Sequence, residues 1–220
     1  MVYTEAELRA IADVCVKHDL YVISDEVYYC LLYDGLKFTS FASLGDDIKQ
    51  RTVLINAVSK AYSMTGWRVG YAAANKEIST VMANFLSHST GAPGTMNQWA
   101  AVEAMRGQQE TVTEMRKVFE ERRNYMVKRL NEIDGVSCIM PQGAFYVMMN
   151  IEKLLGKTIG SALINNDDDF AVEFLKTGLV AVVPCSGFGA PNFIRWTYSA
   201  SLEEIKKGLD RLEEFLKTAK

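Results

Sequence analysis

The sequence predicts an α/β fold, a mostly parallel sheet covered by helices, followed by a smaller α+β domain. Three observations predict it. Short apolar, β-branched runs, LYVIS (20–24), TVLINAVS (52–59) and VGYAAA (69–74), alternate with stretches of helical periodicity. These runs lack the polar alternation of a half-solvated strand, which suits strands buried on both faces of a parallel sheet. After about residue 109 the grammar changes to VSCIM, AFYVMMNI, LVAVV and FIRWTYSA as strands, with helices at about 168–177 and 202–218. The division expected is therefore 1–108 for the first domain and 109–220 for an interdomain helix plus the second.

In order along the chain, Thr4 and Glu7 form a capping box, and Leu8, Ile11, Ala12 and Cys15 recur at helical spacing, so residues 4 to 18 read as an amphipathic helix. LYVIS follows as a strand and stops at Asp25 and Glu26. After the second and third strands, Ile78, Val81, Met82 and Phe85 mark one face of a helix over 76 to 87, which GAPG (91–94) ends. A long helical pattern then carries Val112, Met115, Phe119, Met126 and Ile133 to a stop at Gly135. A second capping box, Ser201 to Glu204, opens the last helix.

With 49% hydrophobic and 23% charged residues over 220 positions, the composition is globular and excludes a disordered or fibrous chain. A net charge of −3 with dispersed Lys and Arg argues against a nucleic-acid surface. No apolar run approaches the ~20 residues needed to cross a bilayer, and MVYTEAELRA lacks the basic start and apolar core of a signal peptide, so no membrane and a cytoplasmic location are expected. Cys15, Cys30, Cys138 and Cys185 form no CxxC pair, and only His18 and His88 could join them, so no metal site is expected and the cysteines read as reduced thiols. The run Asp167, Asp168 and Asp169 reads as a complement to a helix dipole.

Chemistry concentrates in INAVSKAYSMTGWRVG (55–70). Lys60 sits among small and hydroxyl residues, Ser59, Ala61, Ser63 and Gly66, which leave room for a ligand, and Arg68 follows eight positions later. No acid lies between residues 48 and 76. Two cations without a local partner invite an anion such as phosphate, and a desolvated lysine beside another cation is a competent amine nucleophile towards an aldehyde. Taken alone, a lysine at a strand end is more often simply solvated.

Asp25 closes a strand where ligands of open α/β sheets gather, and Tyr28 follows three residues on, so a carboxylate and a phenol could flank one planar ligand. The plainer reading of Asp25 is a turn acid. Arg195, inside the apolar and aromatic FIRWTYSA, either snorkels to the surface or is held by aromatic packing with its fork offered to a carboxylate. Trp67 and Trp196 read as core residues.

Together these residues resemble the class I/II aminotransferases of fold type I that use pyridoxal 5′-phosphate. SKAYSMTGWRVG is similar to the lysine signature of that family, closed by Arg68-Val69-Gly70. Further similarities are ISDEVYYCLLYDG, HSTGAPGTMNQWAAVEAM, PQGAFYVM and NFIRWTYSAS. The resemblance implies that Lys60 holds the cofactor as a Schiff base and serves as acid and base at Cα, that Arg68 binds the cofactor phosphate, and that Asp25 pairs with the pyridine nitrogen. It also implies that Tyr28 donates to the ring oxygen and that Arg195 grips the substrate carboxylate. Where the family usually has Ser or Gly three residues before the lysine, this chain has Ala57.

The implied activity is transfer of an amino group between an L-amino acid (aspartate-like, aromatic or alanine) and a 2-oxo acid, in a homodimer. The region resembling VYTEAELRAIAD follows a cofactor-contacting asparagine segment in the family, so the chain is expected to be the C-terminal portion of such an enzyme. Its strands should then lack neighbours and leave apolar surface exposed. Three readings compete with this one: a pyridoxal-phosphate-dependent C–S lyase, the effector domain of a transcription regulator, and, for this chain by itself, a fragment that folds but does no chemistry.

Overall fold

The computed structural model describes residues 2–220. The chain divides into two compact units, the first ending at Arg116 and the second running from Lys117 to Lys220.

In the first unit the elements are α1 (Glu5–Lys17), β1 (Val22–Asp25), α2 (Asp46–Arg51), β2 (Thr52–Ala57), the single turn α3 (Val58–Ala61), β3 (Gly70–Ala73), α4 (Lys76–Ser87), α5 (Thr95–Arg106) and the start of α6 (Glu110–Glu132). The capping box that opens α1 is complete: Thr4 Oγ1 accepts the Glu7 N–H, and the Glu7 carboxylate accepts the Thr4 N–H at 2.7 Å. Ala12 and Cys15, four-fifths of a turn apart on its inner face, pack with Phe41 and Ile48, and Leu8, Val16, Val22 and Leu44 close over them.

The sheet has the order β1-β2-β3. β1 runs parallel to β2, from Val22 opposite Thr52 to Asp25 opposite Ile55. β3 runs antiparallel to β2, from Ala73 opposite Leu54 to Gly70 opposite Ala57. Two expectations change here. The third strand is antiparallel, and β1 is not buried on both faces: Val22 joins the α1 core, whereas Ile23, pointing to the other face, is 77% exposed. The apolar face expected of α4 is likewise open, with Val81 and Phe85 exposed and Ile78 and Met82 only half-buried. Exposed apolar surface of this kind was the outcome expected of a chain short of sheet neighbours.

The long helical pattern from Val112 is the single helix α6, and the helix before it, α5, ends at Gly107. The Gly107 N–H donates to the Glu103 carbonyl at 2.7 Å, and a Cβ on Gly107 would lie only 2.7 Å from that same oxygen, so any larger residue would force the turn to shift.

The second unit holds the rest of α6, β4 (Ser137–Cys138), β5 (Tyr146–Asn150), β6 (Thr158–Ile159), β7 (Ala162–Leu163), α7 (Asp167–Glu173), β8 (Val183–Pro184), β9 (Phe193–Thr197) and α8 (Leu202–Leu216). Its main sheet, β4-β5-β9-β8, is antiparallel throughout. Ile205, Leu209, Leu212 and Phe215 form the buried stripe of α8, and Phe215 meets Phe170 and Phe174 at centroid distances of 5.6 and 5.0 Å. Ser201 Oγ caps α8 by accepting the Glu204 N–H at 3.2 Å. Of LVAVV only Val183 is a strand residue, because α7 runs on into a wider turn, Phe174–Gly178, that ends with Leu179 in the left-handed conformation.

Asp167 stands in the first turn of α7, as the dipole reading expects, and has a further role. It is fully buried and accepts hydrogen bonds from residues far along the chain, Ser186 and Asn192.

Candidate functional site

Strand register gathers the candidate residues of the first unit at one sheet edge. Asp25 ends β1 opposite Ile55, and two residues further β2 ends at Ala57, opposite Gly70. The segments carrying Asp25 and Tyr28, Lys60, and Arg68 therefore all leave the sheet at the carboxyl ends of its parallel pair, where open α/β sheets bind ligands.

Lys60 rides on the single turn α3. Val58 and Ala61 beside it are completely buried and fix that turn, while Lys60 is half-buried and its Nζ lies 6.0 Å from the Tyr28 ring centroid, at the outer limit of a cation–π contact. Val58 N–H donates to Val69 O at 3.3 Å, which ties the lysine turn to the strand that follows Arg68. At Gly70 the strands β2 and β3 lie close, and a Cβ there would meet Asn56 O at 3.3 Å.

Asp25 is exposed, and its Oδ1 accepts the Val27 N–H at 3.2 Å, the turn geometry of its plainer reading. The chain is held behind it by Glu26, a residue the sequence reading passed over. Glu26 is 7% exposed, its N–H donates to Ile55 O at 2.8 Å, and its Oε1 accepts the Ser24 hydroxyl, the Ser40 hydroxyl and the Phe41 N–H at 3.1, 2.9 and 3.0 Å. No local signal marks it, because two of the three donors come from fourteen and fifteen residues away.

Arg68 is exposed and adopts left-handed backbone (φ 55°, ψ 44°), as does Ser63 (φ 53°). A left-handed residue with a Cβ costs about 1 kcal/mol, and such outliers gather at functional sites. One guanidinium N–H of Arg68 donates to Thr65 O at 2.9 Å.

Beyond the lysine, the Tyr29 and Tyr62 hydroxyls lie 3.4 Å apart, and Tyr62 donates to Gln109 Oε1 at 3.2 Å. Burial, reinforced by the Tyr62 hydrogen bond, holds the Tyr29 phenol protonated well above its ordinary range.

Arg195 stands apart from these four, in the second unit. Ile194 and Trp196 turn into the core and Arg195 turns outward from the centre of β9, opposite Met148 of β5 and Val183 of β8. Its guanidinium carbon lies 4.6 Å from the Tyr146 ring centroid and 4.9 Å from that of Phe188. Aromatic packing rather than snorkelling holds it. Trp67, by contrast, is exposed rather than core, whereas Trp196 is buried as expected. Among the described residues no cluster of His, Cys, Asp and Glu is able to hold a metal ion, and no helix is long and apolar enough to cross a membrane.

A lysine, an arginine, a carboxylate and a phenol at the carboxyl edge of an α/β sheet describe a class of ligand site rather than one enzyme. The family model "Aminotransferase class I and II" matches residues 1–212, and the chain belongs to that family. Among its relatives, the chain is 44% identical over 217 residues to an aspartate aminotransferase of Bacillus sp. (strain YM-2), covering 99% of this chain and 54% of that protein. It is 42% identical over 216 residues to the aspartate aminotransferase of Bacillus subtilis (strain 168), again 98% of this chain and 54% of that one. The crystal structure of an aspartate aminotransferase from Rhizobium meliloti matches with a TM-score of 0.95 at 37% identity, covering 100% of this chain and 55% of the other. The fold type I α/β class read from the sequence is the fold of these structures. The chain spans about half the length of the curated relatives it matches.

Proposed function

We propose that the protein acts as a pyridoxal 5′-phosphate-dependent aminotransferase that moves an amino group between an L-amino acid, aspartate first among the candidates, and a 2-oxo acid. The observation that carries this reading is the convergence of Asp25, Tyr28, Lys60 and Arg68 at one sheet edge. The donor set fits that cofactor: an amine for its aldehyde, a guanidinium for its phosphate, an exposed carboxylate for a protonated ring nitrogen and a phenol for the ring oxygen. Ala57 supplies no hydroxyl to the phosphate, which leaves Ser59 and Ser63 as the nearby hydroxyls and Arg68 with the N–H groups it does not give to Thr65.

When bound, the cofactor supplies an electron sink for the carbanion formed at the substrate Cα. Lys60 Nζ takes the Cα proton as base and returns a proton as acid. Asp25 would hold the ring nitrogen by pairing its carboxylate with it. Arg195, its plane set by Tyr146 and Phe188, offers paired N–H donors to the substrate carboxylate. Residues 1–108 belong on this reading to the cofactor-binding domain and 109–220 to an interdomain helix and small domain, in a cytoplasmic homodimer.

Adding pyridoxal 5′-phosphate should give an absorbance band near the visible edge, and borohydride should then fix the cofactor on Lys60, located by peptide mass. In the full-length protein Lys60→Ala should abolish both the band and amino transfer from aspartate to 2-oxoglutarate. Turnover retained by Lys60→Ala would overturn the reading.

A further inference from the structure

The two rings that hold Arg195 are fixed by different means. Tyr146 belongs to β5, hydrogen-bonded to β9 with Tyr146 opposite Thr197, so the sheet itself sets its place. Phe188 has no such support. It ends a short 3₁₀ turn, Ser186–Phe188, is 64% exposed, and is followed by Gly189 in left-handed backbone (φ 75°).

Backbone bonds close the base of the Phe188 loop, with the Cys185 N–H donating to Phe193 O at 3.0 Å and the Phe188 N–H to Cys185 O at 2.9 Å, and Asp167 adds side-chain acceptors across it. One carboxylate oxygen, Oδ2, accepts the Ser186 N–H at 2.7 Å, and the other, Oδ1, accepts the Ser186 hydroxyl and the Asn192 N–H, the latter at 3.4 Å. The two ends of residues 186–192 are thus pinned to one group at the start of α7. Three donors on two oxygens suit a carboxylate: an amide keeps one acceptor oxygen, and its NH₂ would face either the Ser186 N–H or the Asn192 N–H. Asp167 is 0% exposed, and a buried acid is retained only where hydrogen bonds replace its lost water.

We propose that Asp167 is a positioning residue for Arg195: its carboxylate fixes the 186–192 loop so that the Phe188 ring lies against the guanidinium and orients its fork. The functional half of this inference rests on Arg195 as the anchor of the substrate carboxylate. The structural half does not.

The test reads the Arg195 side-chain Nε–H and Hδ resonances of the 220-residue chain, assigned by their loss in Arg195→Lys. Phe188→Leu removes one ring and defines the shift that this ring contributes. Asp167→Asn should move the resonances most of the way to the Phe188→Leu positions, and Ser186→Ala, which removes one donor from an exposed residue, should move them part of the way. In the full-length enzyme Asp167→Asn should raise KM for the amino acid about tenfold and change kcat less than twofold. Resonances that stay at their wild-type positions overturn the positioning role, whereas resonances that move while KM stays unchanged overturn Arg195 as the anchor of the substrate carboxylate. If Asp167→Asn does not fold, Ser186→Ala decides by the same shift and the same KM. The resonances are read without cofactor or substrate, so failure of the aminotransferase reading and failure of the Asp167 role are separately visible.

Discussion

Glu26 Oε1 accepts the Ser40 hydroxyl at 2.9 Å, and through it a loop fourteen residues away is fastened beneath the turn that carries Asp25 and Tyr28. Because all three donors converge on the same oxygen, Glu26→Gln can keep them on its carbonyl and should cost about 1 kcal/mol or less. Glu26→Ala strands two hydroxyls and one N–H in a buried site and should cost about 2–4 kcal/mol in urea unfolding. Equal losses for the two variants would mean that the hydrogen bonds are not what Glu26 contributes.

Gly107→Ala should destabilise the chain by about 1–3 kcal/mol. The added Cβ would sit 2.7 Å from Glu103 O, a backbone atom that moves only with its helix. Gly66→Ala is the control: nothing lies within 4 Å of a Cβ there, and its stability should change by less than about 0.5 kcal/mol. Chemical denaturation of the two variants separates them.

Acid should unfold the second unit through two carboxylates. The Ser161 N–H bond to Glu173, opposed by burial and aided by the Ser161 hydroxyl and Lys176, holds that carboxyl below its usual value. Burial pushes Asp167 up, but hydrogen bonds from Ser186 and Asn192 outweigh it and leave that carboxyl lowered too. Both folded-state values lie below the unfolded ones, near 4, so the folded state binds fewer protons. Their contribution is whole above about pH 5 and is lost as pH falls through the folded values. Glu173→Gln should therefore be less stable than wild type at pH 7 and should flatten the slope of stability against pH between about 2 and 5.

Burial raises the Cys30 and Cys138 thiols from 9.0 to about 11. At pH 8 each then carries roughly a hundredfold less thiolate than an ordinary thiol. The greater nucleophilicity of a more basic thiolate recovers less than about tenfold. Iodoacetamide labelling followed by peptide mass should thus be about tenfold slower at both positions than in the urea-unfolded chain. Equal rates would contradict the buried setting.

Ile23, Phe85, Met96 and Trp99 are all more than two-thirds exposed. The isolated chain should bind a hydrophobic dye or self-associate, and Ile23→Lys should reduce both. Light scattering that shows a stable monomer, together with no dye fluorescence, would contradict this.

The elements most legible in the sequence were those specified by neighbours in sequence. Thr4 and Glu7 cap each other three residues apart, and Ser201 and Glu204 stand at the same spacing, so α1 and α8 start where their letters point. Strand direction is not written in an apolar run, which is why β3 reads the same whether parallel or antiparallel to β2. A lone glycine in a helical pattern is a weak breaker, and only the distance to Glu103 O makes Gly107 a strong one. Asp167 looks like a helix-start acid because its donors lie 19 and 25 residues on. Lys60 and Arg68 stand close in sequence and were visible as a pair, whereas the dependence of the Asp25 turn on Ser40 and Phe41 exists only in space.

Ser63 and Arg68 both hold left-handed backbone, a conformation that glycine adopts without a Cβ clash. Selection for heat resistance alone would enrich glycine at the two positions, gaining up to about 1 kcal/mol at each. Selection for the proposed amino transfer would bring the arginine back if Arg68 binds the cofactor phosphate. A library varied at these two codons and sorted under each pressure in turn would diverge, and the loop after Lys60 would be where durability and catalysis ask for different residues.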